Sequence, residues 1–303
     1  MNYNNLPNLD ETVIAALNFF SKNKPPRLNL KQFSFPLVVG SGNAFNTAQI
    51  IFSEMPAIIA NESNFKKTLS AYKNLIKNKT IKHAIIISAS GEKDSVWETR
   101  LAKKFGLKTI LLTCNPESTA AQLADNVIAY KKLPEPYTYN VSTYLGIILS
   151  ASAEEARHIK DFIVKLKLSK DLKKYSSYSF ILPDEFAAVA PMLEIKRNEL
   201  FGPYVSLRAF SFGEARHAKF VNNSNKELVI SFGENKYFGL KTNRLEIKMP
   251  KDLKSGLVMA LAYYLIGKIQ TSKPAYFKKN IATFCKNGPL AYGSKEPFSI
   301  IVK

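Results

Sequence analysis

Two turns rich in small polar residues carry the side chains best suited to holding an anion. Ser88-Ala89-Ser90-Gly91-Glu92 follows the apolar run Ala84 to Ile87 and precedes a stretch that can start a helix near Asp94. Serine hydroxyls and free amides at a helix N-terminus donate hydrogen bonds to a phosphate, and the helix dipole favours its charge. The same residues suit an ordinary turn whose serines cap the helix, and spacing alone leaves both readings open. The second turn, Gly40-Ser41-Gly42-Asn43, resembles the opening of a dinucleotide fingerprint, but the third glycine is missing and Phe45 and Asn46 occupy the following positions. As a glycine signal it is weak.

The elements around these turns alternate. Phe35 to Val39 has strand character and leads through the first turn into a helical stretch, Ala44 to Glu54. A strand at Pro56 to Ala60, a helix at Asn64 to Lys77, a strand at His83 to Ser88 and a helix at Asp94 to Phe105 follow. Strands at Thr109 to Thr113 and Asn126 to Tyr130 complete the series. Such an order makes a parallel, doubly wound α/β sheet with helices on both faces, whose ligands settle at the carboxyl ends of the strands. Both polar turns lie at those ends. Before this series, Leu9 to Lys24 reads as an amphipathic helix stopped by Pro25-Pro26, and after it Val141 to Leu168 reads as one long or broken helix. Beyond a basic stretch from Ser169 to Ser177 the pattern restarts, less completely. Strands are expected at Ser179 to Leu182, Val205 to Ser211, Leu228 to Phe232 and Leu245 to Lys248, with helices at Asp184 to Glu199 and Leu253 to Ile269. The expected organisation is an N-terminal helical segment over 1–32, a first α/β domain over 33–172 and a second, trimmed one over 173–303, with Phe298 to Val302 as an added edge strand.

Composition narrows the function classes. At 303 residues with 46% hydrophobic and 12% aromatic residues the chain can bury a substantial core. Its apolar runs fall short of the about 20 residues a bilayer span needs, and the first residues lack a signal-peptide pattern, so no membrane partner and a cytoplasmic location are expected. Cys114 and Cys285 are too few and too far apart for a disulfide framework or a zinc site. The net charge of +19 raises nucleic-acid binding, yet arginine is confined to Arg27, Arg100, Arg157, Arg197, Arg208, Arg216 and Arg244. Positive charge carried by scattered lysines suits a general field that attracts small phosphorylated molecules better than a surface that reads bases.

A longer set of residues carries a family resemblance. Ile87-Ser88-Ala89-Ser90-Gly91-Glu92, Arg100-Leu101-Ala102-Lys103-Lys104-Phe105-Gly106, Thr113-Cys114-Asn115-Pro116, Ser118-Thr119 and Ala124-Asp125 resemble the SIS (sugar isomerase) domain of phosphosugar isomerases. Ser41 to Ala48 looks like the family's first sugar-phosphate turn, and the likeness spans about residues 35 to 165. The resemblance is strongest to members with two SIS units. It implies two flavodoxin-like subdomains, the second trimmed, no metal or organic cofactor, and a homodimer. By resemblance Ser88, Ser90 and the amides of Ala89 and Gly91 hold the phosphate, while Ser41, Gly42, Asn43 and Ala44 line the sugar. Two departures alter this pocket. Ala44 stands where the family usually has serine, and Lys93 where it has Ser or Thr; Ser95, two residues on, is placed to replace the lost hydroxyl.

In the second half, Pro191 to Lys196 and Leu207 to His217 resemble the helix, strand and Gly-Glu-x-x-His segment of a second SIS unit. The resemblance assigns ring opening to His217, a role that requires a group titrating near neutrality. Aldose-ketose isomerisation also requires a carboxylate that carries a proton between adjacent carbons, and ungapped counting puts Phe201 at that position. A phenyl ring cannot serve. Glu199 reaches the position if the loop at Gly202-Pro203 carries a two-residue insertion, and Glu214 is the other candidate. Lys279, five residues after Pro274, matches a sugar-contacting lysine, although its surroundings also read as solvated surface. Two functions follow: an isomerase of a hexose phosphate acting through a cis-enediol, or a non-catalytic sugar-phosphate-binding protein that keeps the fold.

Overall fold

The computed structural model describes residues 3–219 and 223–303. The chain divides into two compact units, one comprising 22–132 and 143–155 and the other 3–21, 133–142 and 156–303. The first helix, α1 (Leu9–Lys22), buries Val13, Ala16, Leu17 and Phe20, and all but its last residue belong to the second of these units.

In the first unit the order is β1 (Leu37–Gly40), α2 (Asn43–Ile51), β2 (Ile58–Ala60), α3 (Phe65–Ala71), α4 (Lys73–Lys77), β3 (His83–Ile87), α5 (Asp94–Lys104), β4 (Lys108–Thr113), α6 (Thr119–Leu123) and β5 (Asn126–Ala129). All five strands pair in parallel in the order β2-β1-β3-β4-β5. Alternation along the strands sends Leu37, Val39, Ala84, Ile86 and Leu111 to one face, where Phe65, Leu69, Ile76, Ala102 and Ala120 from α3, α4, α5 and α6 cover them. Val38, Ile85, Ile110 and Leu112 on the other face are buried too. Strands apolar on both faces are what a parallel sheet requires. The helix expected from Asn64 to Lys77 is broken at Tyr72, which caps α3 and starts α4.

The remaining elements are β6 (Glu135–Pro136), α7 (Val141–Ser152), α8 (Ala156–Lys165), β7 (Ser177–Leu182), α9 (Ala190–Phe201), β8 (Ser206–Ser211), α10 (Phe212–Ala218), β9 (Glu227–Phe232), β10 (Arg244–Ile247), α11 (Ser255–Ser272), α12 (Tyr276–Asn287) and β11 (Ile301–Val302). The expected helix from Val141 to Leu168 is the broken form: Ala153 sits at φ 57° between α7 and α8. Four strands of the second unit form a parallel sheet ordered β10-β9-β7-β8. Taken in chain order this is 2-1-3-4, the arrangement of the first sheet without its fifth strand, so the trimmed second copy is borne out. The C-terminal residues do not join either large sheet. Ile301 and Val302 pair antiparallel with Pro136 and Glu135, because Tyr137 stacks on Phe298 at 4.8 Å and its amide donates to the Ile300 carbonyl. Among the described residues no helix is long and apolar enough to cross a membrane.

Candidate functional site

The serine loop is built by its own hydroxyls. Ser88 Oγ accepts the Gly91 amide at 3.1 Å and Ser90 Oγ accepts the Glu92 amide at 3.3 Å. Each hydroxyl keeps its hydrogen for a ligand, since serine both accepts and donates. The loop is fastened to the β4–α6 connection on one side. The Ala89 carbonyl accepts the Cys114 amide at 3.0 Å and the Thr113 hydroxyl at 3.2 Å, the Gly91 carbonyl accepts the Ala120 amide at 3.0 Å, and Glu92 Oε1 accepts the Thr119 amide at 2.9 Å. Gly91, at φ 65°, lies so close to this connection that a Cβ there would stand 1.9 Å from Ser118 Oγ. Ser95 is buried and donates to the Glu92 carbonyl at 2.9 Å, so its hydroxyl hydrogen is committed to shaping the loop.

On the other side, Ser41 Oγ donates to Asp94 Oδ2 at 3.4 Å, joining the β1–α2 turn to the start of α5. The two turns repeat one backbone form. Gly42 precedes α2 at φ 56°, ψ −121°, and Lys93 precedes α5 at φ 57°, ψ −120°. Glycine takes that conformation freely; a lysine holds it at a cost that only a well-determined surrounding sustains. Lys93 is exposed, while Asn43 and Ala44 are buried. Ser41, Gly42, Asn43, Ser88, Ala89, Ser90, Gly91, Lys93 and Ser95 therefore lie at the carboxyl ends of β1 and β3, adjacent strands of one sheet.

The candidates of the second unit are dispersed by environment. Glu199, in the last turn of α9, is not a solvated glutamate: its side chain is 19% exposed and pairs at 2.5 Å with Lys196, whose side chain is fully buried. Lys196 also donates to the Thr138 carbonyl and lies 5.5 Å from the centre of the Tyr263 ring. Burial drives the Glu199 carboxyl above its ordinary value, and the Lys196 charge and hydrogen bond oppose that rise only in part. Tyr137 is pushed up to about 12 by burial, with smaller contributions from Tyr292, Cys285 and Glu199. Phe201 is a core residue, 1% exposed. Glu214 serves as a cap, accepting the Ser211 amide at 2.7 Å while Ser211 Oγ accepts the Glu214 amide. It also borders an open cleft of 330 Å³ shared with Glu194, Pro191 and Phe210. His217 is exposed near the end of α10, and Lys279 is exposed on α12. The structure thus joins Glu199 to Lys196, a residue to which sequence reasoning gave no role. The signal was the Lys-x-x-Glu spacing, which puts both side chains on one helical face.

The segment that carries both loops matches a family model. Residues 37–153 match the model of the SIS domain. This segment is a SIS domain. A search of curated protein sequences finds no match. Among solved structures, glucosamine-6-phosphate deaminase from Thermotoga maritima is similar at 17% identity and a TM-score of 0.57, over 89% of this chain and 95% of that one. The C-terminal domain of glucosamine-fructose-6-phosphate aminotransferase from Francisella tularensis is similar at 14% identity and 0.56, over 88% and 94%. Tagatose-6-phosphate ketose/aldose isomerase from Escherichia coli is similar at 13% identity and 0.51, over 97% and 91%. These likenesses extend the shared fold beyond the SIS domain itself to both sheets.

Proposed function

We propose that the protein binds a phosphorylated sugar at the Ser88–Gly91 loop and interconverts its aldose and ketose forms through a cis-enediol. Phosphate capture falls to the serine loop and proton transfer to Glu199, with a homodimer as the working form. The observation that carries the reading is the Glu199–Lys196 pair. A buried lysine is expensive unless paired, and a carboxyl raised by burial moves toward the neutral range in which a general base works. Glu199 takes a proton from one carbon and returns it to its neighbour; Lys196 keeps the carboxylate oriented. His217 passes a proton between the ring oxygen and the anomeric hydroxyl, and Lys279 contacts the sugar. The serine hydroxyls of Ser88 and Ser90 donate to the phosphate oxygens. By their names the relatives of the same fold act on hexose 6-phosphates, which favours that substrate class.

The test is solvent exchange. Fructose 6-phosphate incubated with the protein in deuterated water is expected to exchange its C1 proton, and Glu199→Gln is expected to lower the exchange rate at least about 100-fold in protein that circular dichroism shows to be folded. No exchange with the 6-phosphates of fructose, glucose, mannose and glucosamine or with arabinose 5-phosphate would sink the isomerase reading. A second reading, a sugar-phosphate-binding protein without turnover, is favoured by the burial of Phe201 and the exposure of His217. It predicts a thermal shift with the same ligands and no exchange.

A further inference from the structure

Beside the joined loops of the SIS domain lies a carboxyl group that the proposed function does not use. Glu98 is 1% exposed on α5, one helical turn beyond Asp94, and its Oε1 has no hydrogen-bond partner in the protein. Asn43 Oδ1 and Glu62 Oε2 are likewise buried acceptors without a partner. Asp94 is committed twice, accepting the Ser41 hydroxyl at 3.4 Å and the Trp97 indole N–H at 3.2 Å.

The groups that act on Glu98 are anionic. Asp94 stands on its own helix and Glu62 follows β2. Of the elements packed on α5, α3 offers only the exposed Lys66 and Lys67, β3 and β4 carry His83 and Lys108 at their opposite, amino ends, and α6 has no titratable residue. Burial and then these two carboxylates push the Glu98 carboxyl up to about 8. Among the described residues no three His, Cys, Asp or Glu side chains are grouped to hold a metal ion. Protonation neutralises a buried carboxyl that has no cationic partner.

We propose that Glu98 is a positioning residue that stays protonated at neutral pH, and that its ionisation in alkali loosens the Ser41–Asp94 joint between the two loops. While Glu98 is neutral, no like charge on its own helix face pushes the Asp94 carboxylate away from Ser41. Once Glu98 releases its proton to solvent, two carboxylates four residues apart on one helix face repel each other, the Glu98 one from a buried position, with Glu62 as a third. Weaker capture of an anionic ligand follows, and that consequence alone rests on the phosphosugar reading.

Trp97 reports on the joint directly, because it is the chain's single tryptophan and bonds to the same carboxylate. Its fluorescence in the ligand-free protein is expected to follow a one-proton transition near pH 8, absent in Glu98→Gln, which mimics the protonated acid. The unfolding constant of the wild type is expected to rise about tenfold per pH unit more steeply than that of the variant between pH 5 and 8, as one extra bound proton requires. Should the variant not fold, the infrared carbonyl band of a protonated carboxylic acid in the wild type at pH 7, lost at alkaline pH, takes its place. Identical fluorescence titrations in the two proteins, or no protonated carboxyl band at pH 7, would overturn the proposal. A final arm measures fructose 6-phosphate binding at pH 7 and 9. Binding that weakens in the wild type but not in Glu98→Gln supports the proposal, and equal weakening in both counts against it. Failure to bind at any pH removes the phosphosugar reading while the Trp97 titration still decides the role of Glu98.

Discussion

Gly42 and Gly91 share a left-handed backbone, at φ 56° and 65°, yet a methyl group would meet different worlds at the two positions. At Gly42 nothing lies within 4 Å of the added Cβ, so Gly42→Ala carries conformational strain alone, about 1 kcal/mol. At Gly91 the methyl would overlap Ser118, whose hydroxyl caps α6 by accepting the Ala121 amide at 3.3 Å. Relief requires moving the serine loop away from the β4–α6 connection. Gly91→Ala is therefore expected to cost roughly 3 kcal/mol or more and to weaken ligand binding, whereas Gly42→Ala should leave the unfolding midpoint nearly in place. Urea denaturation of both variants checks the ranking, and equal costs would contradict it.

The strands of the second sheet are tied by a charged hub as well as by their backbone ladder. Glu227, the first residue of β9, accepts Ser179 of β7 at 2.6 Å, Arg208 of β8 at 2.6 Å and Lys219, just after α10, at 2.8 Å. Lys219 and Glu227 side chains are only 6% and 7% exposed. Burial by itself would raise the Glu227 carboxyl, but the hydrogen bonds from Lys219 and Ser179 and the charges of Lys219 and Arg208 outweigh it and hold it below its ordinary value. A carboxyl depressed on folding adds stability above its unfolded value, near 4.5, and that stability is lost as pH falls through the lower folded value. Glu227→Gln is expected to cost about 3 kcal/mol at pH 7, because it leaves Lys219 buried beside a neutral group, and to make the acid limb of a pH–stability curve shallower. An unchanged acid limb would remove Glu227 from the account.

At the scale of the whole molecule the excess of 43 Lys and Arg over 24 Asp and Glu sets a positive field. Exposed charges are screened beyond about 10 Å at 0.1 M salt, so attraction of a doubly charged phosphate should show in the association rate more than in the contacts of the bound state. The association rate of fructose 6-phosphate, followed by stopped flow, is expected to fall several-fold between 20 mM and 300 mM salt, by about the same factor in Lys93→Ser as in the wild type. A salt effect that vanishes in Lys93→Ser would instead trace the attraction to that one ammonium.

The alternation of strands and helices and the polar turns after the strands were legible in the chain because both are local properties. Apolar runs such as Ala84 to Ile87 mark the strands, and clusters such as Ser88 to Gly91 mark the turns, through neighbours a few residues apart. The partner of the strand at Ile301 and Val302 was not legible for the opposite reason, since stacking of Phe298 on Tyr137, far away in the sequence, directs it to Glu135 and Pro136. The same holds for chemistry. Glu199 reads as one more glutamate near a helix end until folding buries Lys196 beside it and closes Thr138 over the ammonium. Glu98 carries no signal in the sequence, and only the fold buries it and brings the Glu62 charge to bear on it. Residue type and spacing determined which groups this protein can offer to a phosphorylated ligand. The charge each group carries depends on burial and on partners distant in the chain, and only the tertiary structure decides those.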